Sequence, residues 1–471
     1  MKWASKATAR WTLGTAIVLL LTACGGGGGG GGGVSVASLS ASESTITLGT
    51  SVTLTPNFRL GTATLSPNPN SATVASGVGI RVTPEITTTY QLTVSYTDPN
   101  SQQVVTNTVE TTITVTEATD TLISAGNMLV PRSGAAYAVI NNPVGAVLAC
   151  GGQSSAAVIL NTCEIFEPVS ESWRATGPMK AARRGHTLTA LPNGKVLVVG
   201  GTDGKTQLGT AELFDPATGL WTAVTSVLLV GRSGHTATLM DNGSVLIAGG
   251  EHLSGAGTST ATFDPSTLVF TNTSGGMSRA RVNHTATLLP SGKVLVAGKN
   301  PVAGFESDAK TAELYDPEED EWFPVANMGA NRFGHSATLM ADGNVLVLGG
   351  FGFGTDSTTG EIYRPGADNS DPGSWTPLSF QMSTSRALHT ATALPDGRVL
   401  VLGGYYANQS IDSSDIFVSA GERFRSSLKL KLARAGHSAV LLPNGKVLVF
   451  GAYAPSGVFS NTSEIFWDTD Q

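Results

Sequence analysis

Charge is scarce in this chain: only 13% of its 471 residues are Asp, Glu, Lys or Arg, and the net charge is −7. No long run of Lys and Arg occurs. Nucleic-acid binding needs clustered cations that displace counterions from phosphates, so this balance argues against it. Cysteine is nearly absent, with three residues: Cys24, Cys150 and Cys163. The short signatures of common chemistry are missing as well: no GxSxG elbow, no HExxH, no P-loop. No residue is therefore singled out as catalytic or metal-ligating, and no cofactor is expected. A carboxylate-based sugar hydrolase or epimerase leaves no short motif and stays open. What is plentiful is glycine, at 57 residues, together with Ser and Thr. That profile suits a turn-rich all-β protein.

The first residues read as a targeting segment. Lys2, Lys6 and Arg10 make a positive start, and Thr12 to Leu21 is apolar but too short to span a bilayer comfortably. Leu21-Thr22-Ala23-Cys24 follows. It resembles the lipobox of bacterial lipoproteins, whose Cys becomes the diacylated N-terminus after cleavage. The resemblance implies a signal peptide over 1–23 and a bilayer anchor at an acylated Cys24. Gly25 in place of Asp implies, by likeness to proteobacterial sorting, the outer membrane. Several acyl chains on one group suffice for stable anchoring. Gly25 to Gly33 is an unbroken glycine run. It behaves as a flexible coil with a reach of roughly 15–18 Å, so 24–33 reads as lipidated Cys plus tether. Cys150 and Cys163 are then an even pair in an oxidising compartment, which reads first as a disulfide.

Residues 34–118 hold alternating runs such as Ser44-Thr45-Ile46-Thr47-Leu48, Ser51-Val52-Thr53-Leu54, Thr89 to Val94 and Thr111 to Val115. Apolar residues at every second position give one buried and one wet face. Gly49, Pro56, Pro67, Pro69 and Asp98-Pro99-Asn100 punctuate them. About seven short strands suggest a small β-sandwich. Its pattern resembles bacterial Ig-like domains, without a Cys pair or Trp core. A spacer is the expected role.

From residue 119 to 471 the chain repeats itself. The unit is Arg-x-x-His, an apolar strand, a tight turn, an apolar strand ending in Gly-Gly, a loop, an acidic and an aromatic residue before Asp-Pro, then Trp. The leading arginines are Arg132, Arg183, Arg232, Arg281, Arg332, Arg386 and Arg434, 48 to 54 residues apart. Asn193-Gly194, Asn242-Gly243, Asp342-Gly343, Asp396-Gly397 and Asn444-Gly445 predict two-residue hairpins with positive φ at both central positions. Four strands per unit make one blade. The last unit lacks room for its fourth strand, and Thr121-Leu122-Ile123 ahead of Arg132 is predicted to supply it. These repeats resemble Kelch propellers, including that of galactose oxidase, over about 350 residues. The expected fold is thus all-β: a seven-bladed Kelch-type β-propeller preceded by a small Ig-like β-sandwich.

Six histidines recur once per unit: His186, His235, His284, His335, His389 and His437. Spread around a ring, they suit structural hydrogen bonds better than a metal, which needs its ligands at one point. Every blade but the third carries an acid on its third strand: Glu164, Glu212, Glu313, Glu361, Asp415 and Glu464, against Ala261. Paired with the arginines, these predict internal ion pairs. Arg232 is left as a ligand candidate. Galactose-oxidase-type copper chemistry would, by resemblance, need a Tyr–Cys link, a Tyr-His pair and a further His, but no Tyr here precedes a His. The loops after Gly-Gly differ most between blades. Phe351, Phe353, Tyr405, Tyr406 and Tyr453 open three adjacent loops, and His252 lies on another. Flat rings on neighbouring loops can stack on sugars or dock a protein. The preferred expectation is non-enzymatic recognition of a glycan or protein ligand by these loops. A carbohydrate-active enzyme on the same face and a structural envelope component are the alternatives.

Overall fold

A computed structural model describes residues 37–47, 51–67, 73–82, 84, 87–98, 100–116, 120–140, 145–155, 158–252, 255–299, 309–352, 357–419, 421–452 and 459–468. Among them every named element is a β-strand. Cys24, the glycine tether, Phe353 and Tyr453 lie outside the described residues. The chain divides into two compact units.

The N-terminal unit is built on two sheets. One has the order Ser38–Ala41, Val52–Asn57, Ile80–Val82. The other runs Val104–Thr116, Thr88–Thr97, Thr62–Ser66, Thr73–Val74. Alternation governs the burial: Val52, Leu54, Ala63, Leu65, Tyr90, Leu92 and Val94 are buried, while the residues between them face outward or half outward.

The second unit contains seven four-stranded antiparallel sheets, or blades. The second blade shows the plan: Thr187–Ala190, Val196–Val199, Ala211–Asp215 and Leu220–Ala223, in that order from the centre outward. Second strands such as Val196–Val199 are buried throughout, because both of their faces meet neighbouring blades. Aromatic pairs join third and fourth strands, from Phe263 and Phe270 at 4.8 Å to Phe166 and Trp173 at 5.3 Å between ring centroids. The innermost strands touch in chain order, and the first also touches the seventh, so the ring closes.

Closure is made by the front of the unit. Asp120–Ala125 pairs antiparallel with Ser463–Asp468 as the outer strand of the seventh blade, Ile123 opposite Ile465. Both oxygens of Asp120 accept hydrogen bonds from Arg425 of the sixth blade at 2.9 Å. The Met128 N–H donates to Asn461 O at 2.7 Å.

The turns between first and second strands differ from the two-residue hairpins expected from the sequence. Only their glycines, Gly194, Gly243, Gly343, Gly397 and Gly445, have positive φ, between 80° and 86°. The Leu191 N–H reaches Lys195 O at 2.8 Å and the Gly194 N–H reaches Leu191 O at 3.0 Å. This is a three-residue loop: a type I turn over Pro192-Asn193, then a left-handed glycine. This loop asks a positive φ of glycine alone, whereas a two-residue hairpin would impose it on Asn or Asp as well, and the turns at Gly243 and Gly343 form it without a preceding proline. Pro192, Pro395 and Pro443 precede the pair, and a fixed φ near −65° suits the first central position of a type I turn. Asn193 Oδ1 accepts the Lys195 N–H at 3.1 Å.

Deleting residues 119–128 removes the closing strand and the Asp120–Arg425 pair. A sharp fall in Tm is expected by calorimetry; an unchanged melt would show that the seventh blade does not need this strand.

Candidate functional site

The repeated polar residues are consumed by the architecture. Arg183 is 1% exposed. Its Nη1 donates to Gly200 O at 2.7 Å and Thr210 O at 2.9 Å, and its Nη2 to Glu212 Oε1 at 3.0 Å. Equivalent ion pairs join Arg132 to Glu164, Arg281 to Glu313, Arg332 to Glu361, Arg386 to Asp415 and Arg434 to Glu464. Burial lowers the pKa of Arg132, Arg183, Arg332, Arg386 and Arg434, and the carboxylates pull it back up. Breaking one such pair leaves a buried charge and costs about 3–5 kcal/mol. Arg232 stands apart. It is buried like the rest, donates to Val230 O, Gly249 O, Ser259 O and Ser259 Oγ, and faces no carboxylate among the described residues. Burial alone pushes its pKa down to about 10.

The histidines sit in the seams between blades. The Nε2 atoms of His235, His284, His335, His389 and His437 lie 2.8–3.1 Å from the hydroxyls of Thr187, Thr236, Thr285, Ser336 and Thr390 on the preceding blade. Burial first, then the neighbouring arginines, holds five of the six repeat histidines at a pKa of about 3 and His389 well below its ordinary value. Blade 1 lacks both members of the pattern, with Ala135 and Ala136 in those places. There the Tyr137 hydroxyl donates to Ala439 O at 3.0 Å, and its ring meets Phe450 edge-on at 5.9 Å. Tyrosine thus closes the seam between the first and seventh blades.

What remains available is the face where the Gly-Gly strand ends emerge. Phe351 is tied to Phe333 by a backbone bridge, with ring centroids 4.9 Å apart. Its ring also meets Tyr405 of the next blade at 6.2 Å, edge to face. Phe351 and Tyr405 line a cavity of about 300 Å3 with Ser133, Leu388, Ala435 and Gly436. The lining comes from the fifth, sixth, seventh and first blades and is mostly apolar.

Leu388 is the unusual member. It is 45% exposed and has φ of 52°, in the left-handed region. Five of the seven blades place glycine at the equivalent position: Gly134, Gly185, Gly234, Gly334 and Gly436. There the backbone forms cross-blade hydrogen bonds, from the Leu388 N–H to Gly334 O at 2.7 Å and from the Gly436 N–H to Leu388 O at 3.0 Å. A branched side chain in this conformation costs about 1–2 kcal/mol, and such strain concentrates where it serves a ligand.

The sequence candidates separate accordingly. Phe351 and Tyr405 come together. Tyr406 is exposed beside them, on the short hairpin Tyr405–Tyr406 with Gln409–Ser410. His252 lies on a hairpin of the third blade, and neither it nor Arg232 lines the cavity. Phe333, Leu388, Ser133 and Ala435 were not singled out from sequence. Their signal is the variable pair inside Arg-x-x-His, which reads Ser-Gly, Phe-Gly, Ala-Leu and Ala-Gly in the blades concerned. Cys150 and Cys163 face each other across neighbouring strands of the first blade and are disulfide-bonded, with Cα atoms 4.2 Å apart.

A ring of four-stranded blades with Gly-Gly strand ends and buried Arg–acid clips defines a β-propeller of Kelch type. The match to the Attractin/LZTR1 beta-propeller spans residues 147–405, and the chain belongs to that family. It is 39% identical over 85 residues to Kelch repeat-containing protein kel-10 of Caenorhabditis elegans, covering 18% of this chain and 14% of that one. It is 36% identical over 73 residues to galactose oxidase of Gibberella zeae, covering 15% of this chain and 10% of that protein. A solved structure of a fungal AA5-family alcohol oxidase in complex with copper has the same fold at a TM-score of 0.60 and 16% identity, over 74% of this chain and 76% of the other. Among the described residues no group of three or more His, Cys, Asp or Glu is placed to hold an ion. Five repeat histidines instead face seam hydroxyls.

The seam histidines predict a direction for acid stability. In the unfolded chain they take up protons near pH 6.5, whereas the folded rings resist until about pH 3. Stability is therefore fully present above pH 6.5 and is lost as pH falls toward 3. Each ring contributes a slope of up to about 1.4 kcal/mol per pH unit. Urea midpoints measured from pH 7 to pH 4 should fall, and His335→Gln should flatten the slope. A pH-independent midpoint would contradict buried neutral rings.

Proposed function

We propose that this chain is a lipid-anchored, extracytoplasmic recognition protein, and that its propeller grips a protein ligand at the cavity around Leu388. In this reading an acylated Cys24 holds it to the outer membrane. The glycine run and an Ig-like spacer carry the propeller clear of the bilayer.

One observation carries the choice: Leu388 occupies a strained left-handed position and presents its side chain to a cavity lined by Phe351 and Tyr405. Strain of that kind is tolerated where a side chain is used. The cavity is small, aromatic and poor in polar groups, which suits an apolar anchor side chain from a protein. A glycan needs several convergent donors and acceptors, and Ser133 is the one lining residue with a polar group at its tip apart from Tyr405.

Peptides selected by display against the full chain should carry an apolar anchor. Leu388→Gly should leave the melt unchanged or raised while weakening those peptides at least about tenfold, and Tyr405→Ala should do the same to binding. Wild-type affinity in both variants, or hits confined to a glycan array, would overturn the ligand assignment. For the anchor, labelled palmitate should enter the wild type and not Cys24→Ser; equal labelling would overturn it.

A further inference from the structure

Six blades hold a carboxylate between the repeat arginine and the N–H three residues before it, and in the first, second and fifth the N–H two residues before it donates as well. In the second blade Glu212 Oε1 accepts from Arg183 Nη2 at 3.0 Å and from the Ala181 N–H at 3.3 Å, while Oε2 accepts from the Lys180 N–H at 2.8 Å. The fifth blade repeats this with Glu361, Arg332, Ala330 and Gly329, at 3.0, 3.3 and 2.6 Å. In the third blade the acid is replaced by Ala261, but the donors remain. Arg232 is 3% exposed and is pinned like its counterparts, Nη1 to Gly249 O at 2.9 Å and Ser259 O at 2.8 Å, Nη2 to Ser259 Oγ at 2.9 Å. Leu229 and Val230 stand where Lys180 and Ala181 stand in the second blade. Their N–H groups have no hydrogen-bond partner among the described residues.

We propose that the third blade binds a short monocarboxylate, its two oxygens seated as Glu212 Oε1 and Oε2 are in the second blade, on Arg232 Nη2 and the N–H groups of Leu229 and Val230. Size sets the ligand class. Glutamate exceeds alanine by one methylene and one carboxylate, which are the heavy atoms of acetate. Charge agrees, since a buried guanidinium without a counter-charge favours an anion. Geometry selects among anions, because a flat two-oxygen group matches these donors and a spherical halide does not. Leu229 is 82% exposed, so the place borders the surface. This inference is independent of the protein-ligand reading above and concerns a different blade.

The test uses the full chain at pH 7 and constant ionic strength, titrated with 13C-labelled acetate against chloride. Acetate should raise Tm in a saturable way, with exchange broadening of its carboxyl signal. Ala261→Glu supplies the tethered carboxylate; it should raise Tm without acetate and abolish both responses. Arg232→Lys should weaken acetate by at least about tenfold, as loss of a planar fork implies. The proposal is overturned if acetate acts no differently from chloride, or if Ala261→Glu still binds it as the wild type does. A destabilised Ala261→Glu would also overturn it, by showing that the backbone leaves no room for a carboxylate.

Discussion

A strand buried on both faces cannot exist without a neighbour on each side, and the whole propeller follows from that constraint. Second strands such as Val345–Leu348 and Val399–Leu402 are apolar throughout and essentially unexposed. Each such side chain contributes about 1.5–3 kcal/mol when fully buried. One blade alone would leave half of this in water. Two blades would only move the problem to the outer faces, so the array must return on itself. The front segment Asp120–Ala125 serves this need by completing the seventh blade from the other end of the unit.

Radial packing fixes the blades beside one another, and the polar repeat fixes them in height. Each Arg clip joins the segment leading into one blade to the Gly-Gly end and third strand of the same blade. The histidine then fastens that blade to the previous one through a hydroxyl. At the point of closure the histidine is missing and Tyr137 takes its place. The two halves of that seam come from distant parts of the chain, and a long rigid side chain spans them where the repeat offers only alanine.

The strands, the closing segment and the Arg–acid pairs could be read from residues alone because each is dictated by a repeated local requirement. Positive and negative residues recurring once per blade can only serve one another if both are buried, and Glu212, Glu313 and Glu361 do so. The turns differ because Asn-Gly fits both a two-residue hairpin and a three-residue loop, and the second keeps Asn and Asp out of the left-handed region. The cavity was half visible. Phe351 and Tyr405 stand out as aromatics in variable loops, but Leu388 and Phe333 hide inside a motif that looks structural. Their approach depends on blades brought together across the ring, which no local pattern encodes. Leu388 carries a backbone signature besides, and φ is not written in the sequence.

The functional reading rests on the same division of labour: repeated residues build the disc, and departures from the repeat are where a partner finds purchase. Leu388, Ala261 and Tyr137 are all departures, one at the face, one in a clip and one in the closing seam. The division holds only if the ring is closed as described. Amide hydrogen exchange on the full chain addresses this directly. Within residues 121–125, the alternate amides that point into the ladder with residues 463–467 should be strongly protected, while those on the outer edge exchange faster. Rapid exchange throughout 121–125, with 463–467 behaving as an open edge, would contradict a closed ring.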